Sequence, residues 1–353
     1  MNKILITICF LTGLAFTVKA QDTIKTTSDA PLVIFGSVDT YWKADFSGHA
    51  NIPTSFASDQ NSASIGMLDL GLKKKVGKAS FVGELAFGPR GQYQSTPNGD
   101  GNSLNSKNSF HIQNLYVSYD VTEKFNLAAG YMATFVGYEV VSPVSNFNYS
   151  TSYLFTYGPF QNAGFKATYA FSDKVSLMAG IFNNYWNAYS SYKTLGNTIT
   201  SGDVSTFGAQ LMFTPVKGWT AYLNVLTGSY SGTEFDLTTA YQITGAFKLG
   251  LNAATFSAPN NGGGFSGVAL YPQIAASKTV SFGVRGEYFK MKNDGSNVTG
   301  LTFTSNIKAG NITLIPEVRF DSKNSVFPAT FVNSDGISTN HAAQFLVAAV
   351  YAF

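Results

Sequence analysis

Charged side chains stand at alternate positions in several segments that are otherwise apolar. Arg285 precedes Glu287 by two residues, and Glu317 precedes Arg319 and Asp321 at the same spacing. Residues two apart in an extended strand lie on one face, so each set presents its charges in a single direction. Opposed basic and acidic groups that face water produce a transverse electric field, which orients and filters small polar solutes. Alternatively, neighbouring charges pair with one another and only stabilise the sheet that carries them.

The elements that must position these charges are short strands. Sixteen segments of about ten residues alternate apolar and polar side chains, and short turns alternate with long polar loops between them. The sequence therefore predicts an all-β fold: a transmembrane antiparallel β-barrel of about 16 strands, with short periplasmic turns and long extracellular loops. A secreted β-sandwich or solenoid would not require this rhythm. The predicted strands cover residues 32–44, 63–74, 78–89, 111–121, 125–137, 162–171, 175–185, 204–214, 218–228, 235–243, 246–257, 267–276, 279–291, 298–308, 311–322 and 341–353.

Composition agrees with a sheet that faces lipid on one side. Charged residues make up 12% of the chain, whereas about 25% is usual for a soluble domain. No stretch after residue 20 approaches the ~18 consecutive apolar residues of a spanning helix. A charge that faces lipid costs ~2–4 kcal/mol near the midplane, so the charged faces are predicted to point inward. The predicted pore-lining residues are Asp39, Lys43, Glu84, Arg90, Lys166, Arg285, Glu287, Glu317, Arg319 and Asp321.

The last predicted strand has apolar residues at every second position. In a barrel it would pair with the first strand, which removes both sheet edges. Its register is predicted to place Gln344 in the lumen beside Asp39. Leu346 and Val350 make its inner face apolar too, so we expect this face to contact packed protein, either an inward loop or the segment 21–31. Pro316, in the preceding strand, lacks a donor N–H, so we expect a bulge or a local break there.

The first twenty residues have the composition of a signal peptide. A basic residue is followed by an apolar run of ~15 residues, too short to span a membrane as a helix. We predict cleavage after Ala20, a periplasmic N-terminal segment at 21–31 and a barrel at 32–353. The single cysteine, Cys9, would leave with the signal peptide, so the mature chain would form no disulfide. Without Lys3 and Lys19 the chain has 21 basic and 20 acidic side chains, which gives no electrostatic case for nucleic acid.

The long loop after the fifth predicted strand carries a specific motif. Its pattern is a Gly-x-Glu, then Asn-x-Asn-Tyr-Ser-x-Ser, then Pro-Phe and a glycine that opens the next strand. This pattern resembles the OmpL-like family of putative β-barrel porins, the porin-2 type of outer-membrane barrel. Thr151 and Asn162 depart from it, because the family often has Arg and His there. The matching residues are Gly137, Glu139, Asn146, Asn148, Tyr149, Ser150, Ser152, Pro159, Phe160 and Gly164.

The same loop is a candidate constriction. A barrel of 16 to 18 strands leaves an aqueous channel, which a loop folded into the lumen would narrow. Alternatively, residues 139–161 pack over the rim as a lid. The residues predicted to form the constriction are Glu139, Asn146, Asn148, Tyr149, Ser150 and Ser152.

The strand rhythm and the resemblance together predict an outer-membrane porin through which small hydrophilic solutes diffuse passively. The alternative is a non-conducting barrel with a structural or surface-binding role. Expected partners are outer-membrane lipid and lipopolysaccharide, the barrel assembly machinery through the C-terminal strand, and further copies of the chain in a possible homotrimer. Histidine occurs only at 49, 111 and 341, without metal-binding spacing. We therefore expect no metal, no cofactor and no enzymatic activity.

Overall fold

Sixteen strands in the described part of the chain form a closed antiparallel barrel. The computed structural model describes residues 30–92, 110–195, 198–324 and 327–353. The predicted signal peptide and residues 21–29 of the predicted N-terminal segment lie outside the described residues. The barrel strands are β1 (Val33–Asp45), β2 (Ser64–Val76), β3 (Ala79–Phe87), β4 (Phe110–Asp120), β5 (Phe125–Ala133), β6 (Gln161–Ala170), β7 (Val175–Asn183), β10 (Val204–Phe213), β11 (Trp219–Gly228), β12 (Gly232–Gln242), β13 (Phe247–Ser257), β14 (Gly264–Ala275), β15 (Val280–Met291), β16 (Asn297–Ala309), β17 (Ile312–Lys323) and β20 (His341–Ala352).

The remaining elements lie in the connections. Strands β8 (Tyr192–Leu195) and β9 (Thr198–Ser201) form one hairpin, and β18 (Phe331–Val332) and β19 (Ser338–Thr339) form another. Two short helices are α1 (Pro89–Gln92) and α2 (Tyr153–Tyr157). Single 3₁₀ turns occupy Pro143–Ser145 and Pro259–Asn261. None of the helices among the described residues has the length and apolar character to cross a membrane.

The two-residue period of the sequence explains the two faces of the wall. In β2, Leu68, Leu70 and Leu72 are exposed on the outside, whereas Asp69 between them is buried on the inside. Consecutive side chains of a strand point to opposite faces, so this alternation fixes which residues of each strand face inward. Each predicted strand overlaps one barrel strand, and the predicted fold class is confirmed.

The fifth predicted strand was extended too far. It was expected to continue to residue 137, but β5 ends at Ala133. The next residues are apolar and fit the strand pattern, yet the chain turns into the barrel at this point. Gly137 has a φ of 90°, a conformation that glycine adopts at little cost.

The expected break at Pro316 is present. The pairing of β16 with β17 lacks partners between Thr304↔Glu317 and Ile307↔Leu314, and the register is the same on both sides. Proline has no N–H to donate to the neighbouring strand, so the pairing is interrupted at this point. Because the register is unchanged beyond it, there is no bulge.

The closing seam joins β20 to β1 and β17. Gln344 was expected beside Asp39, and this prediction is wrong: Gln344 pairs with Asp45 of β1 and with Arg319 of β17. Asp39 instead pairs with Val350. Alternation fixes which face a residue occupies but not its height in the barrel. The sequence pattern therefore did not reveal how far β1 and β20 are staggered.

Candidate functional site: an arginine-clamped loop inside the barrel

The long connection between β5 and β6, residues 134–160, lies inside the barrel; we call it the inner loop. Its side chains Tyr149, Tyr153, Leu154 and Phe155 are all buried. Helix α2 begins behind Ser152, whose side chain accepts a hydrogen bond from the Phe155 N–H at 3.0 Å. A serine cap of this kind satisfies an N–H that has no partner within the helix. The contacts therefore show the loop folded into the barrel and not packed over its rim.

Arg285 of β15 holds the inner loop at its centre. Its guanidinium donates to the Glu139 carboxylate at 2.8 Å and to the Ser150 carbonyl at 2.5 Å. A further donor reaches the Thr151 carbonyl at 3.3 Å. The Arg285 side chain is fully buried. A planar guanidinium with several donors can bind a carboxylate and two carbonyls at once, so Arg285 fixes both ends of this stretch of loop.

Arg319 of β17 makes a second clamp beside the first. It binds the Asp321 carboxylate through two donors at 2.8 and 3.0 Å. It also donates to the Thr151 carbonyl at 2.7 Å and lies 3.3 Å from the Glu287 carboxylate. The Tyr153 ring lies beneath the guanidinium, 5.1 Å from it. The Thr151 carbonyl thus accepts from both arginines.

Three wall and loop carboxylates accept backbone N–H groups of the inner loop. Glu317 accepts from the Tyr149 N–H at 3.1 Å, and Glu287 accepts from the Tyr153 N–H at 2.8 Å. Glu139, itself in the loop, accepts from the Ser152 N–H at 2.7 Å. Buried backbone groups require partners, and here side-chain charges supply them in place of a helix or sheet.

Tyr149 connects the inner loop to the first strand. Its hydroxyl donates to the Asp39 carboxylate, and its ring belongs to the same buried cluster as Leu346 and Val350 of β20. The apolar inner face of the closing strand therefore packs against the inner loop, which is one of the two occupants that the sequence suggested.

A second loop also turns inward, which was not predicted from the sequence. Phe56, in the connection between β1 and β2, stacks on Phe160 of the inner loop and packs at a tilted angle against Phe155. The Arg90 guanidinium lies 4.3 Å from the Phe56 ring and 4.7 Å from the Tyr149 ring. Phe56 has a φ of 71°, which is rare for a bulky residue. Residues 46–63 have the composition of an ordinary polar loop, and the few apolar side chains among them, such as Phe56, were the one signal of an inward position.

Two glycines in the wall leave room for the inner loop. A Cβ on Gly267 would lie 2.9 Å from the Leu154 side chain. A Cβ on Gly283 would lie against the Phe147 ring. Both glycines occupy positions in β14 and β15 that face inward. Their lack of a side chain allows the loop to approach the sheet closely.

The predicted pore-lining residues occupy two different environments. All ten belong to the inner side of the barrel, but eight are buried beneath the inward loops: Asp39, Lys43, Arg90, Arg285, Glu287, Glu317, Arg319 and Asp321. These eight therefore do not border open space, contrary to the prediction from the sequence. The backbone groups of the inner loop cover them, and a pattern of charges along single strands does not reveal that cover. Glu84 and Lys166, on the far side of the barrel, are half-buried.

The predicted constriction residues are also mostly engaged in holding the loop. Glu139, Asn148, Tyr149, Ser150 and Ser152 are buried. The Asn148 amide donates to the Thr304 hydroxyl at 2.6 Å, and the Ser150 hydroxyl donates to Glu317. The Asn146 side chain bonds both backbone groups of Val140, at 2.9 and 2.6 Å, and is half-buried.

A cavity of about 720 Å³ lies under the inner loop, toward the end of the barrel that carries the short turns. The loop contributes Glu139, Asn146 and Asn148 to its lining. The wall contributes Lys248 and Lys308, among other residues. No group of three or more His, Cys, Asp or Glu side chains in the described ranges is arranged to hold a metal ion.

A closed sixteen-stranded wall with an apolar outer face and a loop inside it defines an outer-membrane β-barrel of the porin type. Residues 31–353 match the family described as "Putative beta-barrel porin-2, OmpL-like". The chain belongs to this family, as the loop motif indicated, and its place is the outer membrane. No curated protein matches the sequence significantly.

Solved structures of similar fold are outer-membrane channels and porins. The channel DcaP of Acinetobacter baumannii has a TM-score of 0.61 and 13% identity, covering 91% of this chain and 97% of that one. An anion-selective porin from Comamonas acidovorans has a TM-score of 0.61 and 12% identity, covering 92% and 99%. The trimer form of OmpT from Vibrio cholerae has a TM-score of 0.57 and 12% identity, also covering 92% and 99%. At this identity the likeness concerns the fold alone.

Proposed function

We propose that the protein is a passive channel for small hydrophilic solutes. The observation that carries this proposal is the asymmetry of the lumen. Most polar contacts of the inner loop are with strands β15, β16, β17 and β1, and its first residues also bond to β10 and β12, whereas β4 and β6 present polar side chains such as Ser118, Lys166 and Thr168 to the interior. A sixteen-stranded barrel is wide enough for an aqueous path. The solutes would therefore pass beside the inner loop, along β4 and β6, and through the cavity beneath it.

The inner loop would set the size limit of this path. Its main chain is held by Arg285 and Arg319 and, near its start, by Gln210 of β10 and Asp236 of β12. A loop held at fixed points on both sides narrows the lumen to the space beside and beneath it. The eight buried charges would then support the constriction without touching solutes. The half-buried side chains of the lumen would contact the solutes directly.

Planar-bilayer recording of the purified, refolded protein tests the proposal. We expect discrete, ohmic conductance steps. Liposome swelling with sugars of graded size provides the size limit: uptake should fall as the sugars become larger. Bilayers that stay silent, together with liposomes that do not swell in any sugar, would favour the alternative of a non-conducting structural or surface-binding barrel.

We also propose a homotrimer in the outer membrane. The support is the likeness of fold to a porin solved in a trimer form. Light scattering of the detergent-solubilised protein should give three times the mass of one chain, and a monomeric mass would contradict this. We propose contacts of the apolar outer wall with lipid and lipopolysaccharide, and recognition of strand β20 by the barrel assembly machinery.

A further inference from the structure

The inner loop changes which charges can meet water in the lumen. On the wall that it covers, the carboxylates are buried and occupied. Glu139 and Glu287 bind arginine and backbone N–H groups, and Asp39 binds the Tyr149 hydroxyl. Glu317 and Asp321 are enclosed in the same way. Acidic groups that are buried and hydrogen-bonded offer little attraction to a passing cation.

The inward carboxylates of strands β2 to β13 are also largely hidden. Asp236 is buried and accepts from the amides of Asn224 and Asn252 at 2.7 and 2.5 Å. Asp69 and Glu234 are buried as well. Glu84 is half-buried and accepts from Asn114. Among the described residues, Glu84 and Asp120 are the half-buried inward carboxylates of strands β2 to β13, and Asp120 is paired with Lys75 at 2.6 Å.

Three inward lysines, in contrast, are accessible to water and unpaired among the described residues. Lys166, Lys248 and Lys308 alternate with outward apolar residues of β6, β13 and β16, so they face the lumen. Lys308 is exposed and the other two are half-buried. None of the three forms an ion pair in the described part of the chain.

Two of these lysines share the cavity under the inner loop. Lys248 and Lys308 line it together with the amide side chains of Asn146, Gln273 and Asn306. Glu139 also borders it, but its carboxylate is held by Arg285 at 2.8 Å. The charges available to a solute in this cavity are therefore two ammonium groups, with amide donors around them.

The short-turn end of the barrel, the predicted periplasmic side, adds a basic rim to this cavity. Each of the seven short connections carries a lysine in the turn or within three residues of it, whereas Asp120, Glu123 and Asp173 are the acidic residues there. Asp120 is paired with Lys75 at 2.6 Å. One such lysine from each connection is Lys78, Lys124, Lys174, Lys217, Lys248, Lys278 or Lys308, and Lys74 and Lys75 also stand within three residues of the first turn.

We propose that the channel selects small anions, such as solutes that carry a carboxylate or a phosphate, and that Lys248 and Lys308 set this preference. The inference rests on the proposed channel function. The field of the free lysines raises the concentration of anions at the narrow part of the path and lowers that of cations. At about 0.1 M salt, a unit charge about 8 Å from the path raises the local concentration of a monovalent anion about 1.5-fold and lowers that of a cation by the same factor, so it changes the ratio of the two about twofold.

The test is the reversal potential of the full protein in a planar bilayer with a potassium chloride gradient. We expect a chloride-to-potassium permeability ratio above one. In the variant Lys248→Gln/Lys308→Gln this ratio should fall about fourfold, if each lysine contributes about twofold. The matched control is Lys74→Gln/Lys290→Gln, which removes the same charge from positions that alternate with the inward residues of β2 and β15. The control should keep the wild-type ratio.

The outcomes separate the two proposals. A conducting protein that prefers potassium overturns the anion preference, and so does a ratio that is equal in the wild type and the Lys248/Lys308 variant. Either result leaves the channel function standing. Bilayers without conductance overturn the channel function itself. The heat-dependent mobility of the folded barrel on gels shows whether each variant has folded.

Discussion

Arg285 shows how a single residue can determine where a loop lies. Its donors reach one carboxylate and two backbone carbonyls of the inner loop. Taking a charge out of water is costly, and several good hydrogen bonds are needed to offset that cost. Arg285 meets this requirement only when the loop is in place. The same contact therefore holds the loop and stabilises the buried charge.

Removal of this guanidinium should destabilise the barrel strongly. Arg285→Met would leave Glu139 buried without its cationic partner and would remove one of the two arginines beside Glu287, so we expect the free energy of unfolding to fall by about 3–5 kcal/mol. Urea unfolding in detergent, followed by tryptophan fluorescence, measures this. The control is Lys193→Met, which breaks the exposed 2.5 Å pair with Asp203 and should cause no measurable loss. Equal stability of the two variants would show that the Arg285 clamp contributes little.

The buried tyrosines of the inner loop make the free energy of unfolding depend on pH in the alkaline range. Burial, with a smaller effect of the neighbouring Glu139 carboxylate, raises the pKa of Tyr138 from 10.0 to about 12. Burial also raises the pKa values of Tyr149 and Tyr153 well above 10.0. Above pH 10 the unfolded chain loses protons that the folded chain keeps, so stability falls as the pH rises.

This dependence can be measured by unfolding the protein across a pH series and recording tyrosinate absorbance in parallel. We expect constant stability from these groups below pH 10 and a progressive loss above it. Tyr138→Phe should make the loss smaller, and Tyr230→Phe, at an exposed position, serves as the control. A stability that does not change between pH 10 and pH 12 would contradict the prediction.

The closing strand β20 links the barrel wall to the inner loop. Leu346 is fully buried and packs in a cluster with Tyr149 and Ile315. Leu346→Ala should lower the free energy of unfolding by about 2–5 kcal/mol, because it leaves a cavity in this cluster. Val347→Ala, on the outward face next to it, should cost less. Urea unfolding of both variants tests this, and equal losses would mean that the inner face of β20 is not tightly packed.

The strands could be predicted from the sequence because each one is specified by a pattern within its own residues. A period of two is visible within ten residues, as in Leu68, Asp69 and Leu70 of β2. The inward loop between β1 and β2 could not be predicted, because its contacts are distant in sequence. Ser55, for example, receives a hydrogen bond at its carbonyl from Thr151, 96 residues further along the chain.

The candidate site was predictable in residue type but not in environment. The pattern identified Arg285, Glu317 and Arg319 as inward charges, and the structure places them on the inner side of the wall. It did not identify their partners, because these are mainly backbone groups of residues 149–153. Nearly every residue carries the same backbone N–H and C=O groups. The sequence therefore does not indicate which of these groups bind the charged side chains.

At the scale of the whole molecule, the predicted processing site can be tested directly. The pattern of residues 1–20 predicts that the mature chain begins at Gln21. Mass spectrometry of protein isolated from outer membranes should therefore give a mass without residues 1–20, and an N-terminal peptide that starts at Gln21. Ala20→Pro, which disfavours cleavage at this position, should leave the longer form. A full-length mass for the wild type in the membrane would contradict the prediction.

The pairing of β20 with β1 has a consequence for the order of folding. Nine residue pairs, from Ser37↔Ala352 to Asp45↔Gln344, join the two strands, and Gly36 and Phe353 exchange two further backbone hydrogen bonds at 3.1 and 3.0 Å. β1 is made first during synthesis, but its partner is made last. Its free edge is thus open to pairing with other chains for the whole of translation and export. Chaperones that bind extended segments would therefore act first on this strand, and the yield of folded barrel should depend on how long it is shielded.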